Sequence, residues 1–152
     1  MRFNVEGNLL TSDCNVILHQ VNCKGVMGAG IARSIRNMYP EVYHDYMKAY
    51  KEDKLVLGNI IRTKTLRGPI VYSLCGQDTY GRSGKHTDES ALDICFRRVV
   101  EDLKQYGSLD DFRVGVPAGI GAGLGGGDWN LISKSIDKMA KYVNVYVYRY
   151  KS

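Results

Sequence analysis

Apolar positions along the chain follow two periods that alternate from one segment to the next. Arg2–Glu6 alternates polar and apolar residues and ends at Gly7-Asn8, which predicts a strand and a turn. Residues 15–19 are apolar and β-branched at their centre, the pattern of a buried strand. Residues 29–38 have helical spacing and stop before Pro40. A second helix is predicted over residues 41–51, with Val42, Tyr46, Met47 and Tyr50 on one face. Residues 59–62 and 70–74 read as strands joined by the turn Thr65-Leu66-Arg67-Gly68-Pro69. Thr87 or Asp88 caps a long helix running to Tyr106, with Ala91, Leu92, Cys95, Val99 and Leu103 in one stripe. Residues 113–118 form a strand. Asp128 caps a helix through Ala140, with Leu131, Ile132, Ile136 and Met139 inward, and residues 143–149 form the closing strand.

The order β-β-α-α-β-β-α-β-α-β predicts an α/β fold: a mixed, mostly parallel six-stranded sheet with helices on both faces, in one domain spanning residues 1–152. Ligands of such sheets sit beyond the carboxyl ends of the strands, where loops enter helices. Two glycine-rich loops occupy such junctions and should converge on one crevice.

The first is Asn22-Cys23-Lys24-Gly25-Val26-Met27-Gly28-Ala29-Gly30-Ile31. Glycines there let a ligand approach the backbone, and the helix start offers N–H groups to an anion. A tight turn kept for packing is the alternative. The second runs from Pro117 to Trp129, with six glycines in the nine residues 119–127. It contains G-x-G-x-x-G at Gly121, Gly123 and Gly126. No acidic residue follows at the roughly 20-residue spacing of a dinucleotide-binding unit, so a phosphate or diphosphate cradle is the simpler reading. The pattern G-x-x-x-x-G-K-[ST] is absent, which argues against nucleotide hydrolysis by a P-loop.

Composition narrows the class further. The chain has 152 residues, 44% hydrophobic and 24% charged, as an ordinary globular domain does. No apolar run approaches the roughly 20 residues of a membrane helix, and the N-terminal segment lacks a signal-peptide core. A cytoplasmic protein with no membrane partner is therefore expected. A net charge of +5 is spread without a basic stripe, so nucleic acid is not expected as a partner. Cys14, Cys23, Cys75 and Cys95 form no CxxC pair. They read as reduced thiols, and neither a metal nor a cofactor is expected.

Gly7-Asn8-Leu9, the apolar strand with Asn22, the loop Gly28-Ala29-Gly30-Ile31-Ala32 and the loop Gly119 to Gly126 together resemble a macro domain, in order and over nearly the whole chain. The resemblance implies a three-layer α-β-α fold and binding of ADP-ribose or a derivative. It is nearest to the branch that includes phosphatases of ADP-ribose 1''-phosphate, so hydrolysis of that ester to ADP-ribose and phosphate is the activity it implies. Non-catalytic ADP-ribose binding and hydrolysis of another ADP-ribose conjugate are the alternatives. Asn8 takes the place of the usual adenine-binding Asp, with Leu9 beside it. Asn22 matches the residue near the distal ribose. Gly28, Ala29, Gly30 and Ile31 match the loop approaching that ribose and the diphosphate. Gly121, Ala122, Gly123, Leu124 and Gly125 match the diphosphate cradle. One branch removes ADP-ribose from carboxylates with a Lys and an Asp; Gly76 or Gln77 and Gly125 stand at those positions here, with Lys85 and Asp128 as nearby substitutes.

Two residues are candidate catalytic groups. His19 ends the second predicted strand beside the crevice and has the chemistry of a general acid or base; a core histidine is the alternative. Asp128 follows the second glycine loop and is placed to orient water or attack phosphorus, or simply to cap its helix. Tyr80 is a candidate to stack on a base or ribose, and Arg82, Lys85 and His86 to meet a terminal phosphate, against a solvated loop. Cys23 is a weaker nucleophile candidate with no neighbouring histidine, and Trp129 reads as a packing residue.

Overall fold

Side chains of one strand divide between two cores, and this division sets the layers. On β2 (Val16–Asn22), Val16 and Leu18 join a cluster with Leu92, Phe96, Val99, Ile132 and Ile136, while Ile17 and Val21 join one with Ile35, Val42 and Tyr46. The computed structural model describes residues 1–66, 68–81 and 83–150. Within them the remaining elements are β1 (Arg2–Glu6), α1 (Gly30–Met38), α2 (Pro40–Lys51), β3 (Ile60–Lys64), β4 (Ile70–Gln77), α3 (Glu89–Leu103), β5 (Arg113–Pro117), α4 (Trp129–Met139) and β6 (Asn144–Arg149). Helices α1 and α2 cover one face of the sheet and α3 and α4 the other. Each fully buried Leu, Ile or Phe contributes about 1.5–3 kcal/mol through surface removed from water.

The sheet has the order β1-β6-β5-β2-β4-β3. Every pairing is parallel except β3 with β4. This is the mixed, mostly parallel sheet expected from the pattern. The hairpin between β3 and β4 is closed by Thr65, whose Oγ1 donates to Pro69 O at 2.6 Å; Arg67 of the expected turn lies outside the described residues. Asp88 caps α3 by accepting from Ala91 N at 3.0 Å, and Pro40 opens α2, where its missing N–H costs nothing.

Several expectations are corrected. β2 runs to Asn22 rather than ending at residue 19, and β4 runs to Gln77 rather than residue 74. The polar residues of both extensions keep ladder bonds because a parallel neighbour lies alongside. On α2 the buried face is Val42, Tyr46 and Ala49; Tyr50 is exposed and lays its ring over Gly25. On α4 Leu131 is exposed, because the buried stripe is Ile132, Ile136 and Met139. Short 3-10 turns at Leu9–Thr11 and Leu109–Asp111 are additional to the expected elements. All four cysteines are buried and free.

Candidate functional site

The two glycine loops meet over the carboxyl ends of β2, β4 and β5 and enclose a cleft of about 880 Å3. That is the size range of a small-molecule or nucleotide pocket.

Asn22 shapes the first loop. Its Nδ2 donates to Val26 O at 2.7 Å, and its Oδ1 accepts from Lys24 N at 3.0 Å. The Tyr46 hydroxyl, brought up from α2, lies 2.6 Å from Asn22 O and 2.9 Å from Oδ1. Burial pushes the Tyr46 phenol well above its ordinary value, so it stays a neutral donor. The loop then delivers the start of α1 to the cleft. Ala29 caps it without a side-chain bond, and no acidic residue stands in the first turn. The amides of Gly30, Ile31 and Ala32 precede the first intrahelical bond, so their N–H groups have no partner within the helix.

The second loop turns its carbonyls inward. Gly125 O accepts from His86 N at 2.7 Å and Thr87 N at 2.9 Å, and Gly121 O accepts from Thr87 Oγ1 at 2.6 Å and Gly127 N at 2.9 Å. Gly121 adopts φ +75°, and a Cβ on Gly125 would overlap Thr87 Oγ1. With the carbonyls engaged, the amides of Gly123, Leu124 and Gly125 donate to no protein acceptor among the described residues. Ile120 is buried beneath them as an anchor.

Of the expected ligand residues, the structure puts Asn22, Gly28, Ala29, Gly30, Ile31, Gly121, Gly123, Leu124, Gly125 and Tyr80 on the cleft wall. Tyr80 and Leu124 stand at its rim, 52% and 55% exposed. Three others lie elsewhere. Asn8 caps the 3-10 turn through Leu10 N, Leu9 is buried against Gly115, and Ala122 packs on the α3–α4 core.

Neither candidate catalytic side chain lines the cleft. His19 is in mid-strand because β2 continues past it, and it points into the layer under α1 and α2. It is fully buried, with Nε2 2.8 Å from Ser73 Oγ, and burial lowers its pKa to about 3. Asp128 is an N-cap: Oδ1 accepts from Asn130 N at 2.9 Å, and its own amide donates to Glu89 Oε2 at 2.9 Å. Glu89 also meets Lys85 Nζ at 2.8 Å; Lys85 first and then the Asp128 amide hold its carboxyl down at about 2. His86 turns its Nε2 to Ser83 O, 2.9 Å away, while Arg82 lies outside the described residues. Cys23 is buried against Cys75, whose thiol hydrogen bond lowers the Cys23 pKa, and Trp129 packs on the core.

Sequence reasoning missed Gln20 and named Gln77 as one of two residues at the Lys position of another branch. Both are strand residues and line the cleft. The signal was a glutamine interrupting an apolar strand near its carboxyl end. Among the described residues the lining holds no Asp, Glu, His, Lys, Arg or Cys.

These features are those of an α/β nucleotide-type cleft built from main-chain amides. Residues 18–136 match the Macro domain family model, and the chain belongs to that family. It is 30% identical over 135 residues to the DNA ADP-ribosyl glycohydrolase of Mycobacterium bovis, covering 86% of this chain and 36% of that protein. It is 26% identical over 158 residues to the DNA ADP-ribosyl glycohydrolase of Thermus aquaticus, covering 97% of this chain and 41% of that protein. The chain thus spans well under half the length of these relatives. Its fold matches the macrodomain of Mycobacterium tuberculosis DarG with a TM-score of 0.83 at 26% identity over 97% of each chain. It also matches Thermosipho africanus DarTG in complex with ADP-ribose, with a TM-score of 0.80 at 22% identity over 97% of this chain and 41% of that one.

Proposed function

We propose that this macro domain binds ADP-ribose in the cleft and hydrolyses a bond at the terminal ribose, releasing ADP-ribose from a conjugate. The observation that carries the reading is the pair of amide sets facing one cleft: the α1 start at Gly30, Ile31 and Ala32, and the amides of Gly123, Leu124 and Gly125. Donors arranged in this way suit a diphosphate. Polarity across the cleft supports an orientation. Pro117, Ala118 and Ile120, on the β5 side, offer an apolar wall to the base. Asn22 and Gln77, on the β2 and β4 side, offer amides to ribose hydroxyls.

The names of the relatives, DNA ADP-ribosyl glycohydrolases, support a glycosidic bond to DNA as the bond broken. In this reading nucleic acid enters as the carrier of ADP-ribose. The ADP-ribose 1''-phosphate phosphatase implied by the resemblance took His19 and Asp128 as its catalytic groups, and both stand off the cleft wall. In the glycosidic reaction water oxygen bonds to the anomeric carbon, the bond from that carbon to the DNA breaks, and the water proton ends on the leaving DNA group. With no ionised side chain along the described lining, the substrate's own diphosphate balances charge developing at the ribose, and main-chain and amide groups hold the water.

The test is to incubate the protein separately with an ADP-ribosylated oligonucleotide and with ADP-ribose 1''-phosphate, and to follow products by chromatography and phosphorus NMR. Release of ADP-ribose from the oligonucleotide is expected. Orthophosphate from the ester alone would restore the phosphatase, and saturable binding with neither product would make the chain a binding module.

A further inference from the structure

Gln77 ends β4 opposite Asn22 in the parallel register and lines the cleft, and its side chain has one permitted orientation. The constraint starts at Thr87. Its hydroxyl donates to Gly121 O at 2.6 Å, so only lone pairs remain for Gln20 Nε2, 2.9 Å away. Gln20 must therefore present its NH2 group there. The same nitrogen donates to Gln77 Oε1 at 2.7 Å. Gln77 is fixed in turn, with its oxygen toward Gln20 and its Nε2 donating to Thr79 O at 2.7 Å. Turning either amide over would bring two oxygens together. The room for this arrangement comes from Gly76, where a Cβ would overlap Gln20 Oε1.

Counting hydrogens and lone pairs shows what is left. An amide nitrogen carries two hydrogens, and Gln77 commits one of them. Gln20 Oε1 is buried with no hydrogen-bond partner among the described residues. Gln20 spends both of its hydrogens inside the wall, so the hydrogen this pair leaves uncommitted at the polar end of the cleft is the second one of Gln77 Nε2. A ribose hydroxyl accepts such a hydrogen, whereas the faces of a base do not.

We infer that Gln77 is a specificity-determining residue that donates a hydrogen bond to a hydroxyl of the terminal ribose, and that Gln20 is the positioning residue that holds the Gln77 amide in its donating orientation. The inference rests on the ADP-ribose reading above. Because both groups are neutral amides, the recognition is independent of pH wherever the fold is intact.

The probes are ADP-ribose and ADP, which share the base and the diphosphate and differ in the terminal ribose. Titration calorimetry on the wild type should give tighter binding of ADP-ribose. Gln77→Met should weaken ADP-ribose about tenfold, the size of one hydrogen bond to a site otherwise unchanged, and leave ADP within about twofold. Gln20→Met should reduce the same selectivity ratio, a readout that general loosening of the cleft does not move. Thermal unfolding of each variant checks the fold, and Gln77→Leu serves if the Met variant is unstable. A parallel loss for both nucleotides, or no loss for either, overturns the inference. Equal wild-type affinities for the two probes overturn it while leaving a diphosphate-binding cleft. A wild type that binds neither probe overturns the ADP-ribose reading itself.

Discussion

His19 Nε2 lies 2.8 Å from Ser73 Oγ, and the two residues are register partners on β2 and β4. The imidazole is thus part of the layer beneath α1 and α2, and burial holds its pKa down at about 3. In the unfolded chain the same group takes up a proton near pH 6.5. Stability from the neutral ring is therefore complete above about pH 6.5 and falls as pH drops toward about 3, by at most about 1.4 kcal/mol per pH unit. Urea unfolding across this range should show that slope in the wild type minus His19→Asn difference. A constant difference would mean the imidazole is not buried in neutral form.

Asp128→Ala removes a helix cap. It should lower stability by about 1 kcal/mol, and ADP-ribose affinity should change by no more than about twofold. Denaturant unfolding together with calorimetry checks both. Loss of turnover at full affinity and full stability would return Asp128 to the chemistry.

Gly125→Ala places a methyl group against Thr87 Oγ1 and 2.8 Å from Gly121 O. The carbonyls that organise the second loop must then move apart. ADP-ribose affinity should fall at least about tenfold, a loss of roughly 1.4 kcal/mol, and unchanged affinity would show that this loop is not the diphosphate cradle.

Glu89 joins Lys85 to the amide that starts α4, and its carboxyl is held at about 2. A depressed carboxyl contributes stability above its unfolded value, near 4.5, that is lost as pH falls through about 2. Melting curves should show Glu89→Gln less stable than wild type at pH 7, with the gap closing between about pH 4.5 and about pH 2. A gap that stays constant with pH would mean the carboxylate is not engaged.

Tyr46→Phe removes the hydroxyl that meets both oxygens of Asn22. About 1–2 kcal/mol of stability should go with it, and proteolysis within residues 23–29 should become faster. Unchanged protection would show that the first loop is held by its glycines and Met27 alone.

How far the fold was legible depended on what each residue faces. α3 was readable because its buried stripe is apolar at helical spacing and the exposed positions are polar apart from Ile94, although the helix ends at Leu103 rather than Tyr106. Both glycine loops were readable because small residues at strand-to-helix junctions have few other uses. The carboxyl ends of β2 and β4 were not, because Gln20, Asn22 and Gln77 look like loop residues while occupying ladder positions. They are polar because they face the cleft, so the local pattern failed where the site begins. His19 misled for the converse reason: an ionisable side chain near a strand end looks reactive, and only the extra strand residues beyond it show that it is packed inside.

The strand order carries a consequence for how the chain reaches this state. β6 sits between β1 and β5, and among the described residues β1 pairs with no other strand. Within this sheet β1 is made before the other strands and waits for β6, with the sequence between them already made. Closing that long loop is entropically slow, and until it closes the edges of β1 and β5 are open to wrong partners. β1 therefore joins the sheet only through β6, and an α4–β6 segment that arrives late leaves the sheet unfinished on that side however well the other helices are packed.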